Sequence, residues 1–167
     1  MTTIEKLEEL IYKGFKETDQ EIKKLSREVG KITDNLGRFA ENMVAPAIVK
    51  LFNKRGIPIT DYAQRVRSPK RRIEYDIVAH NADYVVVTSV KMTLRAEDVK
   101  FFLNERLPIF KEVFPRYKDM KVIGVVAGAN IVGESDTYAM KRGLYVMAQS
   151  GESVTVLNDE GFEPKIF

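Results

Sequence analysis

The chain of 167 residues has no cysteine, no tryptophan and a single histidine, His80. Without cysteine there is no disulfide framework, no thiolate-bound zinc or iron-sulfur cluster and no thiol nucleophile. One histidine is too few for a histidine-based metal triad, and its place beside the Asn81-Ala82-Asp83 turn makes a Ser-His-Asp relay a poor account of it. A surface histidine fits better. Any metal chemistry must therefore use oxygen ligands. No apolar run approaches the ~18 to 20 residues of a membrane span, and the start, Met1-Thr2-Thr3-Ile4-Glu5-Lys6, lacks the basic and then apolar zones of a secretory signal. A cytoplasmic setting without membrane contact is expected.

At 44% apolar and 31% charged residues, the composition supports a packed core. The net charge of +3 is unevenly distributed. From Lys50 to Arg72 there are eight basic residues against one acid, Asp61, whereas the flanking stretches are near balance or slightly acidic.

Apolar residues recur at Ile4, Leu7, Ile11, Phe15, Ile22, Leu25, Val29, Ile32 and Leu36, with Thr18 filling the seam. Steps of three and four with one extra four near Gly14 make a heptad seam carrying a stutter. So narrow a stripe needs a partner. That partner is either the chain's own domain or, in the favoured reading, another copy in a coiled coil. Residues 37–55 continue with a broader apolar face, where Pro46 is expected to kink or restart the helix and Gly56 to end it.

Short β-branched and aromatic runs follow at 57–66, 73–79 and 84–90, separated by Ser68-Pro69 and by the Asn81 turn. They predict three antiparallel strands. A helix is expected over 96–114 with Pro108 as a second kink, then a buried strand at 122–127. A short helix at 135–142, with Ser135 as its cap and Gly143 as its stop, precedes strands at 144–148 and 154–157. The fold class is α/β, a mixed sheet flanked by helices, with a coiled-coil helix (1–36) before a core domain (37–167).

No Gly-rich phosphate loop is present. The informative set is Glu74, Asp76, Ser89 and Lys91. Strand periodicity puts Glu74 and Asp76 on one face of the second strand, and Ser89 and Lys91 on one face of the third. Acids converging with a lysine could hold a divalent cation and stabilise charge on a phosphate, although Glu/Lys alternation also describes an ordinary solvated sheet face.

The helix Gly37-Arg38-Phe39-Ala40-Glu41-Asn42-Met43-Val44, the strand Glu74-Tyr75-Asp76-Ile77-Val78 and the strand ending Val87-Thr88-Ser89-Val90-Lys91 resemble the PD-(D/E)xK, restriction-endonuclease-like nuclease superfamily. The resemblance is narrower to a branch in which a coiled-coil helix precedes the core. It implies a restriction-endonuclease-like sheet, a DNA substrate, and Mg²⁺ or Mn²⁺ as cofactor. It also implies Asp76 as principal metal ligand, Glu41 as auxiliary acid and Lys91 as the residue that positions the attacking water. The family's acid two residues before the lysine is Ser89 here, a neutral oxygen where a carboxylate belongs. Glu74 or Glu97 could supply the missing ligand. Otherwise the chain keeps the scaffold without turnover, as a DNA-binding or assembly protein. Arg65, Arg67, Lys70, Arg71 and Arg72 lie around the first strand turn, where unbalanced positive charge would meet backbone phosphates; a solvated hairpin is the plainer alternative.

Overall fold

The computed structural model describes all residues, 1–167, and divides them into two compact units, 1–37 and 38–167.

The first unit is helical. Helix α1 (Thr3–Phe39) opens with a reciprocal cap: Glu5 N–H donates to Thr2 Oγ1 at 3.2 Å, and Thr2 N donates to the Glu5 carboxylate at 2.6 Å. The apolar seam residues from Ile4 to Ile32 are each at least half exposed along this unit.

In the second unit the helical chain passes through a wide turn at Ala40–Val44, where Ala45 N–H reaches back five residues to the Ala40 carbonyl. It restarts as α2 (Ala45–Lys54), with Pro46 in the first turn where a missing N–H costs nothing. Six strands then form one sheet in sequential order: β1 (Asp61–Arg67), β2 (Glu74–His80), β3 (Tyr84–Leu94), β4 (Lys121–Ile131), β5 (Tyr145–Ser150) and β6 (Ser153–Val156). The first three are antiparallel, β3 with β4 and β4 with β5 are parallel, and β6 returns antiparallel. The sheet is therefore mixed, and its central strands are apolar on both faces because both faces are covered.

Alternation along β4 and β5 separates two layers. Val122, Val126 and Val146 pack with Val99, Phe102, Phe110 and Ala139 from the helices between and after the strands. On the other face, Tyr145 meets Phe52 of α2 edge-on at 5.3 Å.

Several expectations are corrected. Residues 57–60 precede the first strand, and β3 and β4 run longer than the sequence predicts. The single helix expected over 96–114 is α3 (Ala96–Phe101), a wide turn at Phe102–Arg106, and α4 (Phe110–Val113), because Pro108 cannot donate to the turn before it. Helix α5 (Ser135–Lys141) has Glu134 at its cap position; the Ser135 hydroxyl instead donates to the Val132 carbonyl. His80 ends β2 half-buried, its ring 5.9 Å from that of Tyr117, instead of sitting in a surface turn. No helix is long and apolar enough to cross a membrane.

Candidate functional site

Asp76 sits where the ladders on both of its sides are interrupted. The β1–β2 register runs through Gln64–Ile77 and resumes at Val66–Tyr75, skipping Arg65 and Asp76. Arg65 turns into the left-handed region with φ 51°. On the other side, β2–β3 pairing ends at Ile77–Thr88. The strands part there, and the Asp76 carboxylate fills the gap by accepting the Val90 N–H at 2.7 Å. A side chain thus does the work of a ladder bond.

The parting opens a cavity of about 130 Å³ lined by Glu74, Asp76, Ser89, Lys91, Asp98 and Arg106, with Phe101 and Phe102 as its apolar wall. It is smaller than the roughly 300 to 1,000 Å³ of ordinary small-molecule pockets, and so suits a phosphate-sized group more than a whole nucleoside. Burial holds the Asp76 carboxyl above the usual aspartate range; the Val90 N–H and the Lys91 ammonium oppose that rise, Glu74 adds to it, and Arg106 opposes it. Beside it, Tyr75 donates its hydroxyl to the Arg106 carbonyl at 2.8 Å and packs on Phe110 and Phe114. Burial pushes the Tyr75 phenol up to about 12, against Arg106 and Arg71.

Of the sequence-predicted residues, Asp76, Glu74, Ser89 and Lys91 share this cavity. Glu41 is not among its lining residues; its exposed carboxylate pairs with Arg65 at 3.4 Å. Glu74 is engaged by the Arg67 guanidinium. Glu97, the other candidate replacement, lines a separate hollow with Lys100 and Tyr138. Its neighbour Asp98 reaches the cavity instead, while one of its oxygens accepts the Arg95 N–H at 2.8 Å. Sequence reasoning missed Asp98 and Arg106. Their signal was a stripe of step four, Asp98, Phe102 and Arg106, on one face of a helical segment.

A magnesium or manganese site needs hard oxygen donors, negatively charged and arranged near-octahedrally. No three acidic or histidine side chains here gather as a group that could hold a metal. Ser89 is neutral, Glu41 and Glu74 are turned to arginines, and Lys91 and Arg106 bring positive charge into the same cavity. As placed, these residues do not fit a resident divalent cation.

The basic segment is less unbalanced in space than in sequence. Arg65 pairs with Glu41, Arg67 with Glu74, and Arg71 with Glu112 at 3.5 Å. Lys70 and Arg72, in the β1–β2 turn, are exposed and make no ion pair.

No curated protein and no solved structure matches the chain significantly. One family model matches residues 40–156, which span every strand of the sheet and the whole lining of the Asp76 cavity, and the chain belongs to that family, Domain of unknown function (DUF8196).

Proposed function

We propose that this chain is a nucleic-acid-binding domain of the restriction-endonuclease-like, PD-(D/E)xK type whose hydrolytic centre no longer turns over, brought together with other copies by its N-terminal helix. The observation that carries this reading is Ser89, a neutral residue that lines one cavity together with Asp76 and Lys91. Its neighbours supply the superfamily's aspartate and lysine on the expected strands, and the parallel β3–β4 pair supports the same sheet. Of the carboxylates in the cavity that could replace the missing acid, Glu74 is bound to Arg67 and Asp98 accepts a backbone N–H, while Glu97 lines a separate hollow. What the centre retains is Lys91 and Arg106 set among Glu74, Asp76 and Asp98 in a small hollow, so phosphate contact rests chiefly on Lys70 and Arg72, which make no ion pair on the adjoining turn. Cations so placed bind phosphate oxygens largely without regard to sequence.

The test combines binding and turnover. Fluorescence anisotropy with labelled single- and double-stranded DNA should give salt-sensitive binding by the wild-type protein. Incubation with Mg²⁺ or Mn²⁺ should leave the DNA intact. Ser89→Glu should acquire metal-dependent cleavage, and Ser89→Glu/Lys91→Ala should lose it again. Cleavage by the wild type that depends on Lys91 would make the chain an active deoxyribonuclease, with Asp98 or Glu74 as the replacement ligand. Absence of DNA binding at low salt would overturn the reading altogether.

A further inference from the structure

The charges beside the seam of α1 carry information about its partner. Heptads placed on the seam put Ile4 and Ile11 at a, shift at the stutter, and continue with Phe15, Ile22, Val29 and Leu36 at a and Thr18, Leu25 and Ile32 at d. In this frame all seven basic residues of the segment 1–34 fall on the outer positions b, c and f. The charged residues flanking the seam, Glu8, Asp19, Glu21 and Glu28, are all acidic. The apolar seam residues from Ile4 to Ile32 are at least half exposed on a helix of 37 residues, about 55 Å long.

We infer that α1 pairs with α1 of a second copy as a parallel, in-register, two-stranded coiled coil. This deepens the self-association named above and rests on it, while standing apart from the reading of the Asp76 cavity. In a parallel pair each g residue faces the e position five residues further along the other helix. Glu21 then meets Ser26 of the second copy, and Glu28 meets Thr33, so no acid opposes an acid. In an antiparallel pair g faces g. Every register that stacks the a and d layers across the central heptads then sets Glu21 or Glu28 against a glutamate. Like charges so placed are unfavourable. The seam residues point the same way: Ile22 and Val29 at a with Leu25 at d is the pattern of two-stranded parallel coils, Ile32 being the exception. In-register pairing also sets the bulky Phe15 layer between Gly14 and the small Thr18 layer, where there is room for two rings.

The experiment reads mass and orientation separately, on the full chain. Sedimentation equilibrium should give twice the chain mass. A monomer, trimer or tetramer overturns the two-stranded pair, and a monomer overturns the self-association beneath it. Because the chain has no cysteine, Ile4→Cys introduces its only thiol, at the first seam layer. Mild oxidation should link two chains in the parallel pair, whereas antiparallel ends lie about 50 Å apart and stay unlinked. A dimer without that crosslink overturns the orientation while leaving self-association in place. Ser26→Lys/Thr33→Lys provides an independent readout at two exposed positions with no acid three or four residues away on their own helix. In the parallel pair each lysine faces a glutamate, and dimer dissociation should tighten about tenfold at low salt and return toward wild type at high salt. Weaker association of this variant, with helicity preserved by circular dichroism, overturns the parallel arrangement.

Discussion

The Asp76 carboxylate accepts the Val90 N–H at 2.7 Å across the point where β2 and β3 cease to pair. The residue expected to bind a metal is therefore also a structural staple. Asp76→Ala should leave the Val90 N–H without its acceptor in a part-buried site, at a cost of about 1 to 3 kcal/mol. Asp76→Asn keeps an oxygen there and should lose less. Thermal melting of the two variants checks this. An alanine variant as stable as wild type would mean the carboxylate serves the cavity alone.

The same residue gives stability a pH dependence of definite sign. Burial raises the Asp76 pKa in the folded chain, so the folded state retains a proton that the unfolded chain gives up near its ordinary value of about 3.9. The associated stabilisation is fully present below that value and is lost as pH rises through the folded pKa. Asp76→Asn has no such proton. Urea unfolding at a series of pH values from about 4 toward neutral should therefore show the Asn variant gaining on wild type as pH rises. A constant difference across the series would remove Asp76 as the source.

Much of this architecture was legible in the sequence, for reasons that can be named. Apolar runs bounded by turn residues mark buried strands, so the strands and their order along the chain could be read directly, and the unbroken pattern of about 3.6 residues over 3–39 marked α1 as a helix. Asp76 and Lys91 were legible because their strands neighbour each other across a short turn. The ion pairs were not: Arg65 with Glu41 and Arg71 with Glu112 join residues 24 and 41 positions apart, and no local pattern encodes such partners. Nor was the choice of Asp98 over Glu97. Successive carboxylates differ only in helical phase, which the sheet fixes through Val99 and Phe102.

Thr88 offers a test in the stabilising direction. Its side chain is 1% exposed and its Oγ1 has no hydrogen-bond partner. A hydroxyl buried in that state costs about 1 to 3 kcal/mol. Thr88→Val keeps the shape and removes the unpaired oxygen, and should raise the melting temperature by several degrees. A lowered value would indicate that a bound water satisfies the hydroxyl.

Two glycines with positive φ should respond differently to the same change. Gly56, at φ 76°, has open space where a Cβ would stand. Gly143, at φ 86°, would place a Cβ against the Lys165 Cβ and 2.9 Å from its backbone nitrogen. Lys165 N–H also donates to the Gly143 carbonyl at 3.1 Å, so that backbone cannot retreat without losing a bond. Gly56→Ala should cost only the left-handed penalty, about 1 to 2 kcal/mol, and Gly143→Ala distinctly more. Denaturant midpoints that rank the two the other way would contradict the close approach of the C-terminal segment.

The basic turn separates charge that is spent from charge that is available. Arg65, Arg67 and Arg71 each face a glutamate, so in DNA binding they would have to exchange one anionic partner for another. Lys70 and Arg72 have no such partner, and Arg72 is held at φ 53° in the turn, which fixes where its side chain leaves the backbone. Each phosphate neutralised on duplex DNA contributes about 0.9 to the slope of log affinity against log salt. Lys70→Ala/Arg72→Ala should accordingly reduce that slope by roughly 1.8, with little change in melting temperature because both side chains are exposed. Arg65→Ala/Arg67→Ala should reduce the slope less, yet weaken binding by leaving Glu41 and Glu74 unpaired near the DNA. Glu41→Gln/Glu74→Gln should strengthen it by releasing both arginines. Anisotropy titrations across a salt series decide the matter, and equal slopes for the two double-alanine variants would show that the ion pairs do not sequester the arginines.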